Sequence, residues 1–485
     1  MSAFRKIFNN ITIINIIKYF HIYIYMKDKL YEEKELNILR NAVDNASNIL
    51  GKKLAQSEEI KNIIKILENF IRSNKCLCYG GTAINNILPE QDRFYNRNVE
   101  IPDYDFFSTT PIIYAKKLAD IFYNHGYHEV EAKAGIHSGT YKVYVNYIPI
   151  ADITFLEKEI FNNLIKQSIK INGISYCPPN FLRMSMYVEL SRPMGDLTRW
   201  EKVLKRLILL NKHYPLKGYN CKNIDFMRSY DGSNYNADNT YNIVRKSIIN
   251  QGLVFFGGYA SSLYGKYMPW KERKQLSNIP DFDILSDDAL TSANIIKEQL
   301  IYEGYKNIII NKKPKISELI NTHYEIIVKN GKFMNVLCYI YEVSSCHSYN
   351  IININGQKLK IATIDTMLSF YLNFIYIDRA YYDVNRLLCM SEYLFKVQLK
   401  NRLQQKGLLK RFSINCYGKH ETLEDIRSDK TKKFKELRNQ KLRSGNLNYD
   451  KYFLRYIPYE NKKFKTKGIK NNYKKHKQTK KQSKK

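Results

Sequence analysis

The stretch Cys76–Ser108, CLCYGGTAINNILPEQDRFYNRNVEIPDYDFFS, decides how the rest of the chain is read. It opens on a short apolar run, reaches Gly80-Gly81, and continues into a helix-like segment. It then returns as a strand bearing Asp103 and Asp105. Alternate residues of a strand share a face, so both carboxylates point the same way. Two close carboxylates repel strongly where water is scarce. A protein that keeps such a pair neutralises it with a divalent cation or a shared proton. A Gly-Gly turn ahead of a helix offers uncovered backbone N–H groups and a positive dipole end, which suit phosphate.

A third acid follows. Thr140–Val145 alternates as a strand does, and Ile150–Phe155 is a second strand with Asp152 in apolar surroundings. A lone acid there is uncommon because burying charge is costly. If the two strands are neighbours, Asp152 joins Asp103 and Asp105. Three acids then suffice for two Mg²⁺ or Mn²⁺ ions. With a phosphate-holding turn beside them, they outline a nucleotidyl-transfer site.

This order of Gly-Gly, paired Asp and later single Asp resembles the nucleotidyltransferase superfamily. Ser191-Arg192-Pro193, Thr198–Val203 and Asn211–Pro215 extend the resemblance. They are similar to the poly(A) polymerase catalytic subunit of poxviruses and related nucleocytoplasmic large DNA viruses, in its mimivirus-like branch. The gap from Gly80 to Asp103 is longer than in many nucleotidyltransferases, which places an insertion around Glu90–Asn98. The resemblance implies an α/β (α+β) chain of two tandem nucleotidyltransferase-like domains. Each would be a polymerase-beta-like mixed sheet flanked by helices. It implies template-independent addition of adenylate from ATP to an mRNA 3′ end. Asp103, Asp105 and Asp152 would be catalytic and would ligate the metal, with Asp152 nearest the 3′-hydroxyl. Gly80, Gly81 and Thr82 would hold the nucleotide. It further implies a virion or viral-factory location in the host cytoplasm, and either a homodimer or a cap-methyltransferase-type processivity partner. A uridylyl, CCA or 2′–5′ adenylyl transferase, or a noncatalytic RNA-binding protein, remains an open alternative.

The second half repeats the first. Phe255–Ala260 matches Cys78–Ala83, with Gly257 and Gly258 on Gly80 and Gly81. Ile279–Ser286 matches Ile101–Ser108, with Asp281 and Asp283 on Asp103 and Asp105. His323 onward aligns without gaps to Thr140 onward and sets Asn335 against Asp152. Asn335 is neutral, so the reading is one live domain and one degenerate copy. The copy would serve as support, RNA surface or dimer face, or would bind nucleotide without turnover.

The 485 residues suffice for two or three domains with their own cores. The expected divisions are an uncertain extension over 1–25, a catalytic domain over 26–217 and a linker over 218–242. A degenerate domain over 243–425 and a basic region over 426–485 follow. The net charge of +32 predicts a polyanionic partner, RNA, although AT-rich codon usage also favours Lys. Residues 461–485 hold twelve Lys and no acid, which predicts disorder. Ile11–Tyr25 is apolar but interrupted by Lys18 and His21, too short and broken for a membrane span. Translation from Met26 and a membrane-surface helix are the two readings of it, and no stable membrane association is expected.

Residues 27–75 read as helices, with Ile60 to Ile71 at helical spacing, and Tyr114–Tyr123 as a helix behind the sheet. Residues 157–215 read as helical with a break at Cys177-Pro178-Pro179, and 361–400 as their counterpart. Arg199, Lys202 and Arg206 fall on one helix face, to grip triphosphate or RNA or simply to face solvent. Ser108 either caps the following helix or contacts nucleotide. His137, Ser138 and Thr140 lack a nucleophile elbow, which counts against a Ser/His hydrolase. Eight cysteines without a CxxC pair exclude a zinc site of that kind and fit a reducing compartment.

Overall fold

The computed structural model describes residues 31–223, 237–269, 282–377, 379 and 381–459. Readings on 1–30, on 224–236 within the expected 218–242 linker, on Asp281 and on the Lys-rich tail from 461 lie outside the described residues, while the linker's last part, from Ala237, already belongs to the helix Ala237–Asn250. The chain divides into two compact units. One takes residues 1–66 with 94–102, and its described part includes a largely exposed helix over 31–55. The other takes 67–93 with 103–485 and contains everything below.

That larger unit is built on two eight-stranded mixed sheets. The first uses β1 (Leu77–Tyr79), β2 (Tyr104–Ser108), β3 (Val130–Ala134), β4 (Thr140–Val145), β5 (Ile148–Phe155), β6 (Ile169–Ile171) and β7 (Ile174–Tyr176). The second uses β8 (Val254–Phe256), β9 (Phe282–Ser286), β10 (Ile308–Lys313), β11 (His323–Asn330), β12 (Phe333–Glu342), β13 (His347–Ile354) and β14 (Gln357–Ala362). Strands run β3-β4-β5-β2-β1-β7-β6 in one sheet and β10-β11-β12-β9-β8-β14-β13 in the other, the same order position by position. Each sheet gains an edge from the C-terminal part, β15 (Cys416–Tyr417) beside β13 and β16 (Arg455–Tyr456) beside β3.

Local sequence explains the elements. β1 is an apolar triplet between two neighbours, as a central strand requires. In β4, Tyr141, Val143 and Val145 are buried while Lys142 and Tyr144 face the other way, the period of two. The helix Pro111–Asn124 starts with Pro at its first turn and buries Ala115, Leu118, Ala119 and Phe122 at helical spacing. Within the helix Glu58–Ser73, Leu67, Phe70 and Ile71 are buried, and the Phe70 ring lies 6.3 Å from Phe106 of β2.

Residues 157–215 are not helical throughout. The helix Lys158–Lys166 gives way to the hairpin β6–β7 before the helices Pro179–Leu190 and Trp200–His213. Its turn, Asn172-Gly173, takes φ of 50° and 79°, the left-handed pair that a two-residue hairpin favours. The β13–β14 turn repeats it at Asn355-Gly356 with φ of 51° and 80°. The two halves meet through helices Pro179–Leu190 and Ile364–Phe374. Phe181 is edge-on to Tyr376 at 5.4 Å, and the Tyr187 hydroxyl donates to Gln398 at 3.3 Å.

Cys221 pairs with Cys389 and Cys346 with Cys416, partners 168 and 70 residues apart, so spacing gave no sign of them. Cys76, Cys78 and Cys177 are buried thiols. Cys76 lies just before β1 rather than on the strand with Cys78.

Candidate active site

Strand register builds the site. Tyr79 of β1 pairs with Asp105 of β2, Asp105 with Asp152 of β5, and Asp152 with Lys142 of β4. Residues in register on neighbouring strands project to the same face, so these four form one row across the sheet. Asp103 stands immediately before β2, two residues from Asp105. Electrostatics tie the three acids together. Burial first, then repulsion from Asp103 and Asp152, pushes the Asp105 carboxyl up to about 7. Asp103 is also raised, by burial and then by Asp152. A buried carboxylate cluster in this state calls for cations.

Lys142 supplies one, through an ion pair with Asp152. Burial works against the Lys142 charge, and Asp152 outweighs it. With that pair formed, no group of three His, Cys, Asp or Glu among the described residues is arranged to enclose a metal ion. The donor set nonetheless fits a hard divalent cation, since carboxylate oxygens are its preferred ligands. Lys142 is the counter-charge that a cation at Asp152 would displace.

Gly80 opens the helix Gly80–Ile87 at φ 72°, and a Cβ there would lie 2.4 Å from Asp105 Oδ2. Only glycine lets the turn sit against the carboxylate. The N-cap residue Tyr79 makes no side-chain capping bond, so the helix begins at Gly80 beside the acids without one. Gly81 follows in that turn, half-buried like Gly80. Thr82 is buried and its hydroxyl donates to the Asp103 carbonyl at 2.5 Å, so it fixes the acid-bearing loop rather than facing outward.

The other expected nucleotide contacts divide. Arg199 and Lys202 stand close enough to lower Asp105 and Asp103 respectively. Arg199 also reaches Glu189 at 3.3 Å. Arg206 does not share their exposed face: it is buried beside Val203, Leu207 and Leu210. Three residues after Val203 the helix has already turned inward. Ser108 is buried and accepts from the Thr110 backbone N–H at 3.0 Å, which makes it part of the turn before the next helix. Ser286 does the same for Asp288 at 3.1 Å. Lys212 and His213 pair with Asp92 at 2.9 Å and 2.5 Å, and Tyr214 donates to the Ile87 carbonyl at 2.8 Å. That motif anchors the far end of the Gly80 helix.

Sequence reading missed Lys142 and Tyr79. The signal for Lys142 was its place as the outward residue of β4, opposite an acid in the next strand. Tyr79 stacks on Phe107 with centroids 3.9 Å apart and shares a 2.9 Å hydrogen bond with Thr154, which walls the row.

The second sheet repeats the row with different chemistry. Phe256 pairs with Asp283, Asp283 with Tyr339, and Tyr339 with Glu325. Gly257 again abuts the carboxylate, at φ 66°, and Gly257 and Gly258 are buried. The register corrects one expectation: Tyr339, not Asn335, occupies the Asp152 position. Asn335 lies four residues earlier on β12, opposite Val328. The β11–β12 hairpin has longer strands than β4–β5, so an alignment without gaps slips by four residues before it reaches the row.

Known proteins resemble this chain in sequence and in fold. Residues 65–196 match the family described as poly(A) polymerase catalytic subunit. A protein of Acanthamoeba polyphaga mimivirus, named as a poly(A) polymerase catalytic subunit, is 25% identical over 445 residues, 83% of this chain and 74% of its own length. An African swine fever virus protein of the same name is 28% identical over 182 residues, 36% of this chain and 38% of that one. The crystal structure of the Megavirus polyadenylate synthase superposes with a TM-score of 0.70 at 20% identity, covering 88% of this chain and 86% of that one. This likeness extends the shared fold across both sheets, well beyond the matched family segment.

Proposed function

We propose that this chain is a template-independent polynucleotide adenylyltransferase, extending an mRNA 3′ end from ATP with release of pyrophosphate. The observation that carries the reading is the row Asp105–Asp152, with Asp103 beside it and Gly80 pressed against Asp105. Asp103, Asp105 and Asp152 would hold Mg²⁺ or Mn²⁺, which supplies charge neutralisation for the triphosphate and acidifies the attacking hydroxyl. The backbone N–H groups of the Gly80–Gly81 turn receive phosphate oxygens. Arg199 and Lys202 add positive charge on the same side, where negative charge accumulates as the leaving pyrophosphate separates. The 3′-oxygen bonds to the α-phosphorus as the bond from that phosphorus to the bridging oxygen breaks. The hydroxyl proton passes to Asp152, the acid that pairs with Lys142 in the metal-free site. Holding the two reactants in line is the larger part of the task.

Incubating the full chain with a 3′-hydroxyl RNA and each nucleoside triphosphate separately tests this. Long extension with ATP is expected, and equal extension with UTP or addition of only a few residues would overturn the adenylyl assignment. Asp103→Ala and Asp105→Ala should each lower addition by about a hundred- to a thousandfold, as loss of a principal charge-stabilising group does. Asp283→Ala should leave the rate of addition at saturating RNA and ATP unchanged. A homodimer is part of the same proposal; light scattering at the monomer mass would remove it.

A further inference from the structure

Where the first half gathers its acids, the second half has a cleft. It is open to solvent, with about 40 Å³ of water-sized space between its walls. Tyr339 and Tyr341 are buried in its floor, and Tyr381 and Tyr382 stand half-buried at its rim. Asp283 and Arg386 also line it. The Tyr339 and Tyr381 rings are nearly parallel, 20° apart with centroids 6.2 Å apart. Their neighbours fix them: the Tyr339 hydroxyl donates to Glu325 at 2.9 Å, and the Tyr341 and Tyr382 hydroxyls meet at 3.2 Å.

The row of paired residues explains how this cleft differs from the first. Tyr339 replaces Asp152 and Glu325 replaces Lys142. One carboxylate of the in-register pair remains, and planar faces stand where a cation would have been held. An aromatic cluster that merely filled a core would exclude water and charge. This one keeps an opening, two half-exposed rings, an acid and a guanidinium.

We propose that this cleft binds a ribonucleoside phosphate without turnover, either as free nucleotide or as an unpaired residue of RNA. The base lies against the tyrosine faces, as bases do on aromatic platforms. Asp283 accepts from an exocyclic amine or a ribose hydroxyl, and Arg386 meets the phosphate. Nothing in this depends on the first site being catalytic.

The test uses the full chain carrying Asp103→Asn and Asp105→Asn, which disables the first site. AMP binding is measured by equilibrium dialysis, and an eight-residue fluorescent oligo(A) by anisotropy. Tyr381→Ala should weaken at least one probe by about tenfold or more, the loss of one stacked base. Tyr381→Trp should restore it. Weakened AMP identifies free nucleotide as the source, and weakened oligo(A) alone identifies RNA. If neither probe responds to Tyr381→Ala, the proposal is overturned. Photolabelling the unmutated chain with 8-azido-AMP or an 8-azidoadenosine oligonucleotide guards against a variant that fails to fold. Label on the peptides holding Tyr339 or Tyr381 supports the cleft, and label confined to the first half with both reagents overturns it.

Discussion

Gly80 stands at φ 72° with Asp105 Oδ2 where a side chain would begin, and Gly257 repeats the contact with Asp283. Gly80→Ala and Gly257→Ala should each cost about 1–2 kcal/mol, from the left-handed backbone alone. Thermal melts check that equality. Only Gly80→Ala should also stop nucleotide addition, because only its turn faces three acids. A loss of addition in Gly257→Ala at equal folded fraction would contradict the division of labour. Lys142 gives a second test. It is the resident counter-charge of Asp152. Lys142→Met should lower the melting temperature of the metal-free protein at pH 8. Adding MgCl₂ should then raise it by more than in the unmutated chain, since repulsion among the acids is left for the cation to relieve. An unchanged magnesium response would mean that Asp152 does not join the cation site.

At the level of elements, β13 begins with a buried histidine. Burial first, and then the nearby Arg192 charge, drives His347 down from 6.5 to about 3. The folded protein therefore keeps it neutral, whereas the unfolded chain protonates it near 6.5. Stability is intact above that pH and is lost progressively as pH falls from 6.5 towards 3. The slope from this one group is about 1.4 kcal/mol per pH unit. His347→Gln should flatten the acid limb of the stability curve by that amount, measured by urea denaturation at pH 7, 6 and 5. An unaltered limb would mean the imidazole is protonated in the fold. The β6–β7 hairpin belongs to this scale too. Its Asn-Gly turn was legible as a hairpin signal, yet the surrounding apolar spacing read as helix. Three-residue strands are too short for alternation to compete with a helical pattern.

Over the whole molecule, charge and chain closure dominate. The +32 excess predicts RNA affinity that falls steeply with salt. Removing residues 461–485 deletes twelve lysines. It should reduce the slope of log affinity against log salt, read by filter binding between 50 and 300 mM KCl, about those concentrations over which counterion release is measurable. Single-nucleotide addition at low salt should persist. An identical slope would mean that the tail does not touch RNA. Described residues of the C-terminal part also return to the first sheet. Lys116 pairs with the buried Asp450 at 2.7 Å, Tyr456 donates to Asp120 at 2.8 Å, and β16 pairs with β3. Composition read that region as basic and said nothing of its docking, because a two-residue strand leaves no periodic trace.

Sequence alone determined the Gly-Gly turn, the three acids, and the doubling of one motif along the chain. Each is local: a left-handed turn needs glycine, and a strand's period of two sets which side chains share a face. Tertiary structure decided what stands beside them. Strand register put Lys142 against Asp152 and Tyr339, not Asn335, against Asp283. It joined cysteines as far as 168 residues apart and laid β16 beside β3. Register depends on strand length and on packing between distant segments. Two added residues in each strand of a hairpin shift every partner beyond them, while the order of residues in the chain stays almost the same.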